Sequence, residues 1–367
     1  MIEVKGKFTD AKVMIDQVEE TAMSQIVRFV NDESFTNPVA IMPDCHAGAG
    51  AVIGFTMPIN DRVIPNVVGV DIGCGMLSVE LSVGKYSVWV VETIDKKIRR
   101  AVPFGFNSHE QRKHWVKLPY GMLDTFNRCE IDTEKALRSI GTLGGGNHFI
   151  EIGRSDETNR YWITVHSGSR NPGLRVAQYW QGVANENAGN KSELNYLEGA
   201  DKDGYLFDMK MAQEYATMNR KEIMRLVLEA IGLTYGDIIR EIETVHNFID
   251  FEDNVIRKGA IRSYEGEQMI IPFNMEDGLL VCEGRSNPEW NFSAPHGAGR
   301  VYSRSKAKKE LSLEDAKASM KEAGVYCSNL PLDETKKAYK DSGIIEEAIG
   351  PTAKILERVK PILNLKA

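Results

Sequence analysis

An acid and a thiol three residues apart, Asp71 and Cys74, stand out in the segment Val70-Asp71-Ile72-Gly73-Cys74-Gly75. The apolar run from Val63 to Val70 precedes them and predicts a strand that leads into a glycine-containing turn. A carboxylate is a hard ligand and a thiolate is a soft one, and one tight turn can direct both at a single point. Proteins bind divalent metal ions in this way, so the segment predicts a metal site.

Four of the seven histidines lie beside Gly, Ser, Asn or Pro at predicted strand ends or in loops: His148, His166, His246 and His296. Proteins hold ligands and nucleophiles at such places, whereas core histidines lie within an apolar periodicity. Each one alone fits a hydrogen-bonded loop histidine better than a ligand. Together with Asp71 and Cys74, however, the set has the composition of a site for two cations that a thiolate could bridge.

The remaining histidines carry less information about the site. His46 lies in a glycine-rich turn, where support of the site and an ordinary structural role are equally good interpretations. His109 and His114 are expected to be exposed. The other cysteines, at positions 45, 129, 282 and 327, are expected to be small buried apolar groups or incidental thiols.

The pattern of apolar residues predicts the elements that must position these side chains. A glycine loop at 144–146 leads into a strand from Phe149, and a second strand, Tyr161 to Val165, ends at His166. Two more strands are predicted at 269–275 and 278–282. Helices are predicted at 19–32, 90–100, 133–139 and 209–230, and Ser312 begins another, whereas residues 171–206 are predicted to be irregular. No internal repeat or linker appears, so we expect one domain over residues 1–367.

The bulk properties of the 367-residue chain exclude several classes of protein. A formal net charge of −7 excludes a generally cationic surface, so that any RNA must bind in a local basic groove. Five scattered cysteines argue against a disulfide framework and for a reducing compartment. The apolar stretches are too short to cross a membrane, and Met1-Ile2-Glu3-Val4-Lys5 lacks the plan of a signal peptide. We therefore expect a cytoplasmic protein without a membrane partner.

Six short segments together resemble the RtcB family of RNA-splicing ligases. They occur in the order typical of that family, and the similarity extends from about residue 40 to Lys366. The segments are Met42-Pro43-Asp44, Val70-Asp71-Ile72-Gly73-Cys74-Gly75, Gly144-Gly145-Gly146-Asn147-His148-Phe149, His166-Ser167-Gly168-Ser169-Arg170, His246-Asn247 and His296-Gly297-Ala298-Gly299-Arg300.

The resemblance implies a ligase that depends on GTP and two Mn²⁺ ions. Such an enzyme joins an RNA 3′-phosphate or 2′,3′-cyclic phosphate to an RNA 5′-hydroxyl, in RNA repair or tRNA splicing, through a guanylylated histidine and an RNA-ppG intermediate. The implied partners are tRNA halves or damaged RNA, and an archease-like activator is a candidate partner. The implied fold is α+β, a single RtcB-like domain whose strand-rich mixed core is flanked by helices, with the active site in a cleft at strand ends.

The resemblance also implies roles for individual residues. Asp71, Cys74, His148, His166 and His246 would hold the two Mn²⁺ ions, with Cys74 between them. His296 would attack the α-phosphorus of GTP and carry GMP as a covalent intermediate. The residues expected around the nucleotide are Asn147, His148, Phe149, Ile150, Glu151, His246, Asn247, Pro272, Phe273, Asn274, Met275, Gly278, His296, Gly297, Ala298, Gly299 and Lys366.

Basic residues expected to contact RNA include Arg170 and Arg300. Each lies four residues after a site histidine, which makes these two the stronger candidates for phosphate contact. The other candidates are Arg257, Lys258, Arg304, Lys306 and Lys308.

The chain also departs from the family pattern. Residues 272–278, Pro-Phe-Asn-Met-Glu-Asp-Gly, replace a small Gly-Ser-Met-Gly turn near the expected guanine position, and Ala49 replaces a common lysine. These differences, with the modest length, also fit a divergent paralogue. Two alternatives stay open: a binuclear metal phosphoesterase that uses the same five ligands without a covalent step, and an RNA-binding or metal-storage protein without activity.

Overall fold

Three β-sheets form the framework of the computed structural model, which describes residues 1–82, 90–111 and 117–367. Hydrogen-bonded strands of the first sheet are, in spatial order, Ile2–Lys5 (β1), Asp10–Val13 (β2), Val39–His46 (β3), Ile53–Pro58 (β4), Val255–Lys258 (β10) and Phe248–Ile249 (β9). The second sheet contains, again in spatial order, Gln268–Pro272 (β12), Leu279–Gly284 (β13), Ala353–Leu365 (β15), Phe149–Ser155 (β6), Tyr161–Ser167 (β7), Gly75–Leu81 (β5) and Ile238–Val245 (β8). Ala260–Arg262 (β11) and Ser293–Pro295 (β14) form a separate antiparallel pair.

Helices pack around these sheets. They are Glu20–Val30 (α1), Pro65–Val68 (α2), Val91–Ala101 (α3), Met122–Arg128 (α4), Thr133–Ser139 (α5), Arg170–Ala188 (α6), Gly199–Ala230 (α7), Arg304–Glu310 (α8), Leu313–Glu322 (α9) and Ser342–Ala348 (α10). Short 3₁₀ segments occur at Tyr235–Asp237, Pro288–Trp290, Leu332–Glu334 and Lys336–Ala338. The predicted α+β fold is therefore confirmed.

The long helix α7 connects the two largest hydrophobic cores. Its first half places Tyr205 and Met209 in the core beside the six-stranded sheet. Its second half places Ile223 and Val227 in the core beneath the seven-stranded sheet. Because one rigid helix is shared by both cores, the edge of the seven-stranded sheet is fixed relative to the first sheet, and the candidate site lies at that edge.

Several predicted elements are confirmed. The structure has a helix at Val91–Ala101 and another at Thr133–Ser139, and strands begin at Phe149 and Tyr161. Ser312 caps α9, because its side chain accepts a hydrogen bond from the backbone N–H of Asp315.

The apolar run before Asp71 was predicted to be a strand, and this prediction is wrong. Residues Pro65–Val68 form one helical turn, and Pro65 occupies a first-turn position, where a missing N–H costs nothing. The strand instead follows Cys74, as β5. Asp71 and Cys74 thus lie in the turn that begins a strand, which still directs both side chains towards one end of the sheet.

The prediction of irregular structure at 171–206 is also wrong. Helix α6 covers Arg170–Ala188, and α7 begins at Gly199, ten residues before the predicted start. The Asn- and Gly-rich composition hid a helical pattern, because Val176, Trp180 and Ala184 are spaced four residues apart and are buried on one face.

Candidate active site

Four strands of the second sheet bring the predicted ligands to one edge. Strands β6, β7, β5 and β8 are antiparallel neighbours in that order, so two begin at this edge and two end there. His148 immediately precedes β6, Cys74 precedes β5, His166 is near the end of β7, and His246 follows β8. Antiparallel pairing therefore explains why Cys74 and His246, which are 172 positions apart in the chain, can meet.

The ligand atoms of these residues lie close together. His148 Nε2 is 2.9 Å from Asp71 Oδ2 and 3.5 Å from Cys74 Sγ. His166 Nε2 is 3.3 Å from Cys74 Sγ and 3.3 Å from His246 Nε2. The atoms form two groups, Asp71 with Cys74 and His148, and Cys74 with His166 and His246, each with all ligand atoms within 4.8 Å of one another. Cys74 belongs to both groups, as a bridging thiolate would.

Glycine is required where the chain passes these ligands. A Cβ on Gly168 would lie 2.2 Å from an Asp71 carboxylate oxygen, so no other residue fits there without moving the carboxylate. Gly73, with a φ of +69°, forms the turn between Asp71 and Cys74. The glycines in these two segments thus fix the position of Asp71.

Hydrogen bonds on the far side of two rings set their tautomers. His148 Nδ1 donates to the backbone oxygen of Leu143 at 2.9 Å, and His166 Nδ1 donates to that of Asn147 at 3.2 Å. Each Nε2 atom then carries a lone pair that faces the cluster. The pKa values of His166 and His246 are well below the usual range because both rings are buried. Neutral imidazoles with converging lone pairs fit a cation between them.

The acid and the thiol of the cluster differ in the direction of their pKa shifts before a metal binds. Burial raises the pKa of the Cys74 thiol well above its usual value, and the neighbouring Asp71 carboxylate raises it further. Burial opposes ionisation of Asp71 as well, but its neighbours His148 and Arg170 bring the pKa of Asp71 below its usual value. A divalent cation would be needed to ionise Cys74, so metal binding would release a proton from the thiol.

His296 lies against this cluster and is held by an aspartate. Its ring centroid is 4.6 Å from that of His246, and its Nδ1 donates to Asp44 Oδ2 at 2.6 Å. Asp44 is completely buried on β3, 252 residues away in the chain. Because this hydrogen bond keeps the ring proton on Nδ1, His296 Nε2 carries the lone pair, as a nucleophile requires. Asp44 stood in a recognised motif, but sequence reasoning gave it no role.

A cavity of 290 Å³ opens beside His296. Most of the residues expected around the nucleotide line this cavity: Asn147, Phe149, Glu151, His246, Asn247, Pro272, Phe273, Asn274, Met275, Gly278, His296, Gly297, Ala298, Gly299 and Lys366. Ile150 does not, because alternate residues of a strand face opposite sides and its side chain is fully buried in the core shared with α7. His148 is not part of the lining either, and its ring contacts Asp71 and Cys74.

Two buried acceptor atoms line the cavity without a hydrogen-bond partner among the described residues: Glu151 Oε1 and Asn364 Oδ1. The two side chains bond to each other through Asn364 Nδ2 and Glu151 Oε2 at 2.8 Å. Burial raises the pKa of Glu151 to about 8. Unpaired buried acceptors cost free energy, so this wall fits a ligand with adjacent N–H donors.

A buried carboxylate, Glu334, organises the cationic side of the cavity. It accepts hydrogen bonds from Arg304 at 2.8 Å, Arg300 at 3.1 Å, Lys366 at 2.8 Å and the Tyr339 hydroxyl at 2.7 Å. Burial alone would raise the pKa of Glu334, but the charges of Lys366 and Arg304 lower it to about 2. One anion thus holds three cations at the cavity wall, a constellation that sequence reasoning missed.

Several basic residues expected to contact RNA are already bound within the protein. Arg170 donates to Gly105 O at 3.1 Å and to Thr142 Oγ1 at 3.3 Å. Arg257 is completely buried and paired with Asp250 and Asp253. None of these side chains lines the cavity.

Lys258 is also withdrawn from solvent. It is 4% exposed and donates to the backbone oxygens of Ala49 and Asn66. Burial lowers the pKa of Lys258 to about 7. Like Arg257, it supports the structure beside the site and has little surface to offer a phosphate.

The structure gives different outcomes for the three remaining histidines. His46 lines the cavity, its Nδ1 donates to Asp44 O at 2.9 Å, and burial lowers the pKa of its ring to about 4. His109 is half-buried beside Gly141 O, not exposed as predicted. His114 lies outside the described residues.

No helix in the described ranges is both long and apolar enough to span a membrane.

Comparisons with known proteins identify the family. A family model described as tRNA-splicing ligase RtcB matches residues 25–367. The RNA-splicing ligase RtcB of Escherichia coli K12 is 30% identical over 95% of each chain. The tRNA-splicing ligases RtcB of Nanoarchaeum equitans and Archaeoglobus fulgidus are 27% and 25% identical, over 89% and 98% of this chain and 88% and 94% of their own. Since the family model and these relatives cover nearly the whole chain, and the chain gathers an acid, a thiol and four imidazoles beside one cavity, it belongs to the RtcB family.

Proposed function

We propose that this protein is a GTP-dependent RNA ligase that joins RNA 3′-phosphate or 2′,3′-cyclic phosphate ends to 5′-hydroxyl ends, in RNA repair or tRNA splicing. The observation that carries the proposal is the position of His296, which lies against a cluster of five side chains that could hold metal ions and lines a cavity with unpaired acceptors. The names of the relatives, RNA-splicing and tRNA-splicing ligases, support the same reaction class.

His296 is the proposed nucleophile of the first step. Its Nε2 lone pair attacks the α-phosphorus of GTP, the bond to the β-phosphate oxygen breaks, and pyrophosphate leaves. Asp44 keeps the proton on Nδ1 and stabilises the positive charge that develops on the ring, since its carboxylate is buried and 2.6 Å away. Phosphorus bound to an imidazole nitrogen remains reactive, which suits an intermediate that must be passed on.

The guanylyl group is then transferred to RNA. An oxygen of the RNA 3′-phosphate attacks the phosphorus on His296, the N–P bond breaks, and RNA-ppG forms. The 5′-hydroxyl oxygen of the second RNA attacks the 3′-phosphate phosphorus, and GMP leaves. We propose that Arg300 and Lys366, which line the cavity, and Asn147 position these phosphates.

We propose two Mn²⁺ ions as cofactors, held by Asp71, Cys74, His148, His166 and His246. When bound, they would supply charge neutralisation for the phosphates and activate water to open a cyclic phosphate. The donor set fits divalent cations, but thiolate and imidazole donors do not by themselves select manganese.

Inhibition by zinc is the expected consequence of this donor set. Zn²⁺ is expected to bind the same atoms more tightly than Mn²⁺ and to replace it, because Mn²⁺ has the lowest affinity for such sites among the divalent ions of the first transition series. Ligation measured with Mn²⁺ and increasing Zn²⁺ should fall towards zero, and excess Mn²⁺ should restore it only partly. Equal rates with either metal would contradict this expectation.

Glu151 and Asn364 are proposed to select guanine. Their unpaired oxygens could accept hydrogen bonds from guanine N1–H and the N2 amino group, a donor pattern that adenine lacks. Only the ionised Glu151 carboxylate can accept both bonds at full strength. Since the pKa of Glu151 is raised to about 8 by burial, the free protein carries this carboxyl group mostly protonated at pH 7.

Guanine binding is therefore expected to release a proton. Guanosine, whose lack of phosphate removes other titrations, should release nearly one proton per molecule bound at pH 7, and its affinity should rise about ten-fold per pH unit until the pH approaches 8. Isothermal titration calorimetry in buffers of different ionisation enthalpy measures this. Adenosine and the Glu151→Gln variant are controls, and equal proton release from wild type and Glu151→Gln would exclude this role for the carboxyl group.

Ligation of defined RNA ends tests the proposed function. With GTP and Mn²⁺, 3′-phosphate and 2′,3′-cyclic phosphate donors should be joined to a 5′-hydroxyl acceptor, and a 3′-hydroxyl donor should not. Joining of the 3′-hydroxyl donor alone would refute the proposal.

We further propose that residues 1–367 act as one domain in the cytoplasm. The family match over residues 25–367 supports the first statement, and five free thiols support a reducing compartment. An archease-like activator remains a candidate partner on the family resemblance.

A further inference from the structure

A phenylalanine projects into solvent from a tight turn close to the candidate site. The turn is Phe104–Asn107, closed by a hydrogen bond from Asn107 N–H to Phe104 O at 3.2 Å, with Gly105 at a φ of +64°. Phe104 packs against the core beneath the second sheet, whereas Phe106 is fully exposed, with a relative accessibility of 109%. Turn tips usually carry small or polar residues, so a large apolar ring here lacks a structural reason.

Three contacts anchor this turn to the glycine loop before His148. Gly105 N–H donates to Gly144 O at 2.9 Å, Leu143 N–H donates to Pro103 O at 2.9 Å, and the Arg170 guanidinium donates to Gly105 O. A Cβ on Gly144 would overlap the Arg170 guanidinium, so these groups are packed without a gap. The ring of Phe106 is thus presented by a backbone fixed on two sides.

The anchored turn lies beside the mouth of the reactive cavity. Gly105 Cα is 3.9 Å from the position that a Cβ on Gly145 would take, and the next residue but one, Asn147, lines the cavity. Arg304, whose side chain is 43% exposed, lies 3.7 Å from the corresponding position on Gly146. An exposed aromatic ring and a partly exposed arginine side chain, which is ion-paired with Asp333 and Glu334, therefore flank the same three-glycine loop.

We propose that Phe106 is a stacking platform for an unpaired nucleobase of the RNA end that enters the cavity, with Arg304 beside it for the RNA backbone. This inference rests on the proposed function. Single-stranded nucleic acid is bound by just this combination, because every base has a π-face and every phosphate a negative charge. Gly145 and Gly146 add no side chain of their own between the turn and the Arg304 side chain, so a strand can pass across them.

The test compares Phe106→Ala, Phe106→Leu and Phe106→Trp with wild type in full ligation and in guanylylation without RNA. We expect Phe106→Ala to raise the KM for RNA about ten-fold. Phe106→Leu, the matched control that keeps apolar bulk without a ring, should be equally impaired, and Phe106→Trp should resemble wild type. Guanylylation needs no RNA and should be equal in all four proteins. Tyr120→Ala, which removes another exposed ring, should leave the KM unchanged.

A spectroscopic measurement keeps the proposal testable if turnover is slow. An RNA end with 2-aminopurine near the junction should lose fluorescence on binding wild type or Phe106→Trp, and less on binding Phe106→Ala or Phe106→Leu. Wild-type RNA affinity in Phe106→Ala, or in Phe106→Leu, would overturn the stacking role while leaving the ligase assignment intact. A wild-type protein that neither takes up GMP nor binds RNA would overturn the proposed function and this inference with it.

Discussion

Incubation with α-labelled GTP and Mn²⁺ is expected to label the wild-type protein and to leave His296→Ala unlabelled. The substitution removes the atom that forms the bond to phosphorus, so both labelling and ligation should fall by roughly 10⁶-fold, below detection. The five proposed metal ligands do not include His296, so the variant should still bind the proposed two Mn²⁺ ions per chain. Labelling and metal content, measured on the same sample, separate loss of the nucleophile from loss of the fold.

His109→Ala is the matched control for this experiment. It also removes an imidazole from a partly buried position, where Nε2 donates to the backbone oxygen of Gly141, and it should be labelled like wild type. A label that persists in His296→Ala would remove His296 from its proposed role. Phosphatase activity that His296→Ala leaves unchanged, with no labelling in any protein, would favour the binuclear phosphoesterase.

Asp44→Asn is expected to slow guanylylation by roughly 10²–10⁴-fold while changing neither shape nor metal content. The carboxylate accepts the Nδ1 proton of His296 at 2.6 Å. An amide in its place can donate to Nδ1 through its NH₂ group, and the ring proton would then move to Nε2, where the nucleophilic lone pair is needed. A negative charge that stabilises the developing imidazolium is also lost.

Two measurements distinguish this role from a structural one. The melting temperature and the Mn²⁺ content of Asp44→Asn should remain close to those of wild type, since the amide has the volume of the carboxyl group. NMR of the imidazole nitrogens should place the His296 proton on Nδ1 in wild type and on Nε2 in the variant. Guanylylation at the wild-type rate in Asp44→Asn would show that Asp44 does not set the tautomer.

The sequence predicted which side chains come together at the candidate site because local patterns carry that information. His148 and His166 each lie two residues from a glycine at one end of a recognisable strand, Asp71 and Cys74 share one glycine-containing turn, and the family order of motifs gave His296 its expected role. The order of strands in the sheet was beyond the sequence, because β15, the last strand in the chain, inserts between β13 and β6. Pairing between such distant segments leaves no local signal.

The partners of the site residues were missed for the same reason. Asp44 reaches His296 across 252 residues, and Glu334 gathers Arg300 from the segment before α8, Arg304 from α8 and Lys366 from the C-terminal end. Sequence composition gives the number of basic residues but does not show which of them are buried in ion pairs. Arg257 is completely buried and ion-paired with aspartates, whereas Arg304 keeps an exposed face at the cavity. Arg304 is also ion-paired, with Asp333 and Glu334, and only three-dimensional proximity distinguishes such a partly exposed pair from a fully buried one.

Mapping the covalently bound nucleotide tests the central claim most directly. Wild-type protein incubated with GTP and Mn²⁺ without RNA, then digested and sequenced by tandem mass spectrometry, should carry one guanylyl group on the peptide that contains His296. Phosphorus NMR should show the phosphorus attached to Nε2 of His296, since Nδ1 is hydrogen-bonded to Asp44. A guanylyl group on any other residue, or ligation of 3′-phosphate RNA without a protein-bound nucleotide, would contradict the account.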